Sequence, residues 1–181
     1  NRAALFRALR HSLSRMGLPC VDLYQMHFPI PPIKVETWME YMVEAVQAGM
    51  TRGVGVSNYD RGEMQRSYDA LIKNGIQLES NQLEYSIMNR KIEKSGLLAH
   101  CKQLGVRVIA YTPLASGILS GKYSPENPPK GMRSGRFPVQ LIKRIQPLIS
   151  LLRRLGDEHS GRTPAQVSLN WVIAKGCIPI P

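Results

Sequence analysis

Cysteine is scarce in this chain of 181 residues, and the few that occur are far apart. The three residues Cys20, Cys101 and Cys177 form no CxxC pair. An odd number at such wide spacing excludes a disulfide framework and a cysteine-based zinc site. We therefore expect a reduced, intracellular protein.

Long apolar runs are also lacking. No stretch approaches the roughly 18 consecutive apolar residues of a membrane-spanning helix. The first residues, Asn1 to Arg7, lack the unbroken apolar segment of a secretory signal and have the spacing of a helix interior. We expect part of a larger domain, soluble and without a membrane partner, in the cytoplasm or in a plastid.

Acidic residues are missing from two stretches. Residues 1–20 carry four basic and no acidic residues, and residues 130–154 carry seven and none, which together equal the net charge of +11. The excess is therefore local. Zinc-finger spacing, RNP aromatics and a basic-zipper pattern are all absent. Solvated helix faces are the first interpretation of this charge and an anionic small ligand is the second; we do not expect a nucleic-acid partner.

The hydrophobic periodicity alternates between helix and strand. It predicts strands that end near His27, Ser57, Tyr85 and Tyr111, with helices between them, one of which is predicted over residues 91–104. Asp60 and Thr163 are predicted helix N-caps, and Cys177 begins a last strand. Residues 112–137, rich in Gly, Pro and Ser, form a connection long enough to be functional or disordered.

This alternation predicts parallel strands joined by crossover helices. A doubly wound sheet and a (β/α)₈ barrel both fit. The sequence has no GxGxxG after a strand, which counts against a dinucleotide-binding doubly wound sheet. Five strands are too few to close a barrel of eight, so the barrel interpretation requires further strands at both ends.

Polar side chains stand where the predicted strands end, which is where parallel α/β proteins bind ligands. These residues are His27, Ser57, Asn58, Gln82 and Tyr111. They include no paired carboxylates, no nucleophile elbow and no His/Asp/Glu cluster, which argues against a glycosidase, an acyl transferase and a metal site. The set suits hydrogen bonding to an amide and polarising a carbonyl, beside a stacking ring.

Six segments resemble the aldo-keto reductase superfamily, in order and at fitting intervals. They are DLYQMH (22–27), GVGVSNY (53–59), NQLEYS (81–86), VIAYTPLASG (108–117), LSGKY (119–123) and QVSLNW (166–171). Within that family the chain looks most like the branch shared by plant and cyanobacterial oxidoreductases and potassium-channel β subunits.

The resemblance implies a partial (β/α)₈ TIM barrel with about five of the eight βα units, formed by a single domain over residues 1–181 that is incomplete at both ends. It implies an NADP-dependent oxidoreductase that reduces aldehydes and ketones by hydride transfer. Of the family's Asp, Tyr, Lys and His tetrad only the histidine maps onto this chain, at His27. The other three belong to strands that would precede Asn1, and the adenosine-phosphate site would follow Pro181.

The resemblance also assigns cofactor residues. Ser57, Asn58 and Gln82 would bind the nicotinamide carboxamide of NADPH/NADP⁺, and Tyr111 would stack on the ring. Thr112, Pro113, Leu114, Ala115, Ser116 and Lys122 would wrap the pyrophosphate. Arg133 and Arg136 are left outside the predicted site. From the residues alone, a structural histidine, a turn, a core aromatic and a surface loop remain alternatives for these positions.

Two alternatives to a carbonyl reductase are kept. One is a nicotinamide-binding regulatory or interaction subunit with little turnover, like the channel β subunits. The other is an inactive truncated fragment. The sequence does not identify the carbonyl substrate, separate NADPH from NADH, or predict an oligomeric state.

Overall fold

A computed structural model describes residues 1–131, 134–135 and 137–181 of the chain. Its helices and strands alternate as predicted. The elements are α1 (Arg2–Met16), β1 (Val21–Met26), α2 (Val35–Gln47), β2 (Thr51–Ser57), α3 (Arg61–Ile72), β3 (Leu78–Glu84), α4 (Lys91–Lys94), α5 (Leu97–Gln103), β4 (Arg107–Tyr111), a 3₁₀ turn (Ile118–Ser120), α6 (Val139–Glu158), α7 (Pro164–Ala174) and β5 (Ile178–Ile180).

The strands are hydrogen bonded in chain order, β1 to β5. β1 pairs with β2 and β2 with β3 in parallel, which confirms the strand direction that the crossover helices predict. A β-bulge interrupts the second pairing: Val54 faces Leu78 and Gly55 faces Ser80, so Glu79 has no partner on β2. The bulge shifts the register by one residue and brings Gln82 opposite Ser57.

The predicted helix over residues 91–104 is wrong as a single element. It is two helices, α4 and α5, and Gly96 separates them at a φ of 74°. That left-handed conformation is cheap only for glycine and ends a helix. The two predicted N-caps are confirmed, because Asp60 and Thr163 each complete a capping box, with Glu63 and Gln166 respectively.

The chain divides into two compact units. The first comprises residues 1–83 and 91–109, and the second comprises residues 84–90 and 110–181. The largest fully buried side chains of the first are Leu9, Met39, Met42, Tyr59, Met64, Leu71 and Leu78. In the second, Ile118 and Leu119 of the 3₁₀ turn are buried with Ile142 and Ile149 of α6. The long segment after β4 therefore contributes to a core.

Within the described part of the chain, no helix is both long enough and apolar enough to cross a membrane.

Candidate cofactor and carbonyl site

The first unit gathers four predicted site residues around the ends of β1, β2 and β3. Ser57 is the last residue of β2, and its hydroxyl donates a hydrogen bond to the Gln82 carbonyl at 3.0 Å. The Asn58 main-chain N–H donates to the same carbonyl at 2.9 Å. One oxygen of β3 therefore holds two consecutive residues at the end of β2.

Asn58 connects this group to His27. Its Nδ2 donates to the Ser57 hydroxyl at 3.0 Å and to the main-chain carbonyl of His27 at 3.3 Å. The φ of Asn58 is 62°, a left-handed conformation that asparagine tolerates better than most residues. The structure thus joins the side chains of Ser57 and Asn58 to the main-chain carbonyls of His27 and Gln82 in one hydrogen-bonded group.

His27 follows β1 directly, and its side chain is exposed. Its imidazole stacks on the ring of Phe28, with centroids 4.5 Å apart and planes inclined by 10°. Phe28 is itself 49% exposed. Phe28 was not among the predicted site residues, although its position beside His27 was a signal. A flat aromatic neighbour restricts the orientations that the imidazole can adopt.

Asn81 was also missed. It is fully buried, and its Nδ2 donates to the main-chain carbonyl of Tyr59 at 3.0 Å. Asn81 Oδ1 and the Tyr59 hydroxyl are both buried with no hydrogen-bond partner among the residues that the structure describes. Burial, with a smaller contribution from the charge of Glu63, raises the pKa of Tyr59 to about 12.

In the second unit, Tyr111 is the last residue of β4 and is half-buried. Its carbonyl accepts a hydrogen bond from the Tyr85 N–H at 3.3 Å. Burial, and then the nearby negative charge of Glu84, raise the pKa of the Tyr111 phenol. The ring is therefore neutral at physiological pH.

The segment after Tyr111 has an unusual backbone. Thr112, Ala115 and Ser116 all have positive φ values, of 51°, 48° and 57°. Such values are rare for residues other than glycine, most of all for a β-branched threonine, and they concentrate at functional sites. Pro113 and Leu114 lie between them, with Pro113 buried.

Several N–H groups of this segment already have partners within it. Ala115 N donates to Thr112 O at 2.9 Å, and Gly117 N donates to Leu114 O at 3.0 Å. The N–H groups of Ala115 and Gly117 are therefore directed at carbonyls of the segment itself, and the pyrophosphate site stays a prediction. The interpretation as a loose surface loop is also weakened, because the segment leads directly into the buried Ile118.

Lys122 lies against this turn. A Cβ built on Gly117 would be 3.9 Å from Lys122 Nζ, and the same ammonium lies 5.0 Å from the centroid of the Tyr123 ring. The carbonyl of the preceding residue, Gly121, accepts a hydrogen bond from Arg153 Nη2 at 2.8 Å. Arg153 belongs to the basic stretch but was not predicted to support the site. Arg133 and Arg136 lie outside the described residues.

Among the described residues, no three His, Cys, Asp or Glu side chains are grouped to hold a metal ion.

A family model described as "Aldo/keto reductase family" matches residues 1–181. The chain belongs to the aldo/keto reductase family. It is 34% identical over 177 residues to the chloroplastic pyridoxal reductase of Arabidopsis thaliana, a match that covers 96% of this chain and 48% of that protein. It is 32% identical over 180 residues to the L-glyceraldehyde 3-phosphate reductase of Escherichia coli strain K12, covering 96% of this chain and 52% of that protein.

A relative from Schizosaccharomyces pombe, named as an aldo-keto reductase with NADP(+), is 28% identical over 183 residues and matches 97% of this chain and 52% of its own. The chain therefore spans about half the length of the curated relatives that it matches. Membership of the family and the reductase names of these relatives support an oxidoreductase of the aldo-keto reductase type.

Solved structures agree. A thermostable aldo-keto reductase in complex with the inhibitor epalrestat matches with a TM-score of 0.75 and 30% identity, over 100% of this chain and 56% of that one. The glycerol dehydrogenase of Gluconobacter oxydans matches with a TM-score of 0.90 and 23% identity, over 99% and 54%, which supports the fold alone. The predicted fold class, a partial (β/α)₈ barrel with five parallel strands, is confirmed.

Proposed function

We propose that the protein to which this chain belongs reduces an aldehyde or ketone to an alcohol with NADPH. The observation that carries the proposal is the hydrogen-bonded group of Ser57, Asn58 and Gln82 directly beside His27. A carboxamide-binding group next to an exposed imidazole suits a nicotinamide beside a carbonyl. The single-domain organisation and the location in the cell remain predictions.

The donor set of the first unit fits the nicotinamide carboxamide. That group has one carbonyl acceptor and two N–H donors, and the Gln82 side chain carries the complementary pair. The two Nδ2 hydrogens of Asn58 are directed at Ser57 and His27, so Asn58 would meet the carboxamide as an acceptor, through Oδ1. Ser57 is only 3% exposed, and its hydroxyl already donates a hydrogen bond to the main-chain carbonyl of Gln82. We therefore assign Ser57 to support Asn58, and assign Asn58 and the half-buried Gln82 to the carboxamide itself.

In the second unit, Tyr111 is proposed to lie against the nicotinamide ring and Lys122 to neutralise phosphate charge. A neutral phenol ring stacks without introducing charge beside the reacting carbon. An exposed ammonium beside a strained turn is suited to a pyrophosphate. The NADP(+) name of the Schizosaccharomyces pombe relative and the net positive charge favour NADPH over NADH.

The bound nicotinamide would supply the hydride. His27 would hydrogen bond the carbonyl oxygen and stabilise the negative charge that develops there as the hydride reaches the carbon. The stacked ring of Phe28 holds the imidazole for that bond. The proton that completes the alcohol would come from the family's tyrosine, which the resemblance assigns to a strand before Asn1.

The test uses the full-length parent protein and follows NADPH oxidation at 340 nm. Pyridoxal and glyceraldehyde 3-phosphate are the first substrates, because two relatives are named for them. We expect turnover, and a loss of about 10²-fold in kcat/KM for His27→Gln. His11→Gln, an exposed histidine on α1, is the matched control and should leave turnover unchanged.

Binding without turnover of any carbonyl would favour the regulatory subunit instead. Failure to bind NADPH at all would refute both functions.

A further inference from the structure

The left-handed turn at Asn58 is held from two sides by β3. On one side, the Gln82 carbonyl accepts from the Ser57 hydroxyl and from the Asn58 N–H. On the other, Asn81 Nδ2 donates to the carbonyl of Tyr59 at 3.0 Å. The residues before and after the turn are thus both tied to the same strand.

The β-bulge at Glu79 makes this arrangement possible. Without it, the register from Val54 and Leu78 would continue in step and place Asn81, not Gln82, opposite Ser57. With it, Asn81 pairs with Val56. Asn81 reaches the turn with its side chain, at the Tyr59 carbonyl, and Gln82 reaches it with its main-chain carbonyl, at Ser57 and Asn58.

Packing alone does not explain an asparagine at position 81. Asn81 has no exposed surface and Tyr59 is 1% exposed. A buried carboxamide is costly unless its hydrogen bonds are made, and Asn81 Oδ1 has no partner in the described part of the chain. An apolar residue of similar volume would fill this position without that cost. Only a hydrogen-bond donor at this position can bind the Tyr59 carbonyl.

We propose that Asn81 is a positioning residue for the cofactor. By holding the carbonyl of Tyr59, it fixes the φ of Asn58 and so directs the Asn58 carboxamide, which meets both His27 and the nicotinamide. Asn81 itself touches neither cofactor nor substrate. The inference rests on the proposed function, since it concerns the same cofactor, and it adds a buried residue that controls which face of the nicotinamide is presented.

The experiment compares four forms of the full-length parent protein: unaltered, Asn81→Asp, Asn81→Ala and Ser67→Ala. Asn81→Asp keeps the shape of the side chain and removes the Nδ2 donor. Asn81→Ala also removes that donor, and it replaces the Asp variant if the latter does not fold. Ser67→Ala is the matched control, because Ser67 is also fully buried in the first unit and donates one hydrogen bond, to Glu63 O at 2.9 Å.

Two readouts are taken at a temperature well below every melting midpoint. The first is the Kd for NADP⁺ by fluorescence titration, and the second is the stereospecificity of deuteride transfer from NADPH labelled on one face at C4. We expect the Asn81 variants to raise the Kd by about tenfold or more, as for the loss of one directed hydrogen bond. We also expect them to transfer hydrogen from both faces of the nicotinamide, so that the product is a mixture of deuterated and undeuterated alcohol. Ser67→Ala should lower the melting temperature and change neither the Kd for NADP⁺ nor the stereospecificity of transfer.

A double variant shows whether the effect passes through Asn58. Asn58→Gly permits the same positive φ without a side chain. Adding Asn81→Asp to this variant should therefore raise the Kd by less than about twofold. If the two residues acted independently, Asn81→Asp would raise the Kd as much in the Asn58→Gly variant as in the unaltered protein. An unchanged Kd and intact stereospecificity in folded Asn81 variants would overturn this inference alone. If the unaltered protein binds no NADP⁺, the proposed function fails, and this inference fails with it.

Discussion

The Nδ2 of Asn58 donates a hydrogen bond across 3.3 Å to the main-chain carbonyl of His27. A residue predicted to bind the cofactor is therefore tied to the residue predicted to orient the substrate. Positioning of both reactants is a large part of what an enzyme contributes to hydride transfer. A change at Asn58 should consequently affect both the binding of the cofactor and the orientation of the substrate.

Asn58→Asp should weaken NADP⁺ binding and lower kcat together. The variant keeps the left-handed turn accessible but directs an acceptor, instead of a donor, at the His27 carbonyl. We expect a rise of about tenfold in Kd, the size of one lost hydrogen bond, measured by titration and by steady-state kinetics. An effect on KM for the carbonyl substrate alone would show that Asn58 does not contact the cofactor.

Lys122→Met should weaken NADP⁺ binding by about tenfold and reduce the dependence of Kd on salt, because it removes a positive charge from the proposed phosphate site. Lys130→Met is the matched control, since Lys130 is an exposed lysine of the same segment. Kd is measured for both variants at two salt concentrations. Equal losses in the two variants would indicate a general effect of charge, not a site at Lys122.

Gly55→Ala should destabilise the protein by about 1–3 kcal/mol, the usual range for overpacking. A Cβ on Gly55 would clash with the Ser80 hydroxyl and lie 2.9 Å from Gln25 Cγ. Gly62→Ala in α3 is the control: its Cβ would meet nothing closer than 3.5 Å, and alanine favours helix. Urea unfolding of both variants measures the difference, and a neutral Gly55→Ala would show that the strands separate easily here.

Tyr59 should make stability fall at alkaline pH. Its pKa is raised from 10.0 to about 12 in the folded state, so its contribution is fully present below pH 10 and is lost as pH rises toward 12. The shift corresponds to at most about 2–3 kcal/mol, and to less where solvent screens the phenolate. Tyr59→Phe should remove that part of the alkaline loss and cost little at pH 7, since the hydroxyl has no partner among the described residues.

Unfolding by urea at several pH values, from mildly alkaline to just below the raised pKa of Tyr59, compares the unaltered protein with the Tyr59→Phe variant. Parallel stability curves for the two proteins would contradict the burial of this phenol.

The 181-residue chain expressed alone should associate and lack reductase activity. Ile178 and Ile180 of the edge strand β5 are 49% and 40% exposed, and an exposed edge invites pairing with other chains. Size-exclusion chromatography, thermal unfolding and the NADPH assay measure this. A monomer that melts cooperatively and oxidises NADPH with an aldehyde would contradict the prediction.

Local signals in the sequence predicted most elements correctly. Capping boxes at Asp60 and Thr163 need only residues three apart, and the order of strands and helices follows from periodicity. The break at Gly96 had a signal in the glycine itself. The positive φ of Thr112 had none, because a β-branched residue disfavours that conformation and only the surrounding structure imposes it.

The group of His27, Asn58 and Gln82 could be predicted because strand ends converge in parallel α/β proteins. The contribution of Asn81 could not, since it depends on a bulge at Glu79 that no local pattern marks. Arg153 was likewise out of reach, because its bond to the Gly121 carbonyl joins residues far apart in the sequence.

Gly55 has a consequence for the register in which the three strands pair. Gln25, Gly55 and Ser80 are aligned across β1, β2 and β3, and the Ser80 hydroxyl donates to Gln25 Oε1 at 2.8 Å over the bare backbone of Gly55. If β2 slipped by one residue in either direction, the side chain of Val54 or Val56 would occupy that gap and break the bond. The missing side chain in the middle strand therefore selects against a one-residue slip of β2, the error that would turn its buried side chains to the other face of the sheet.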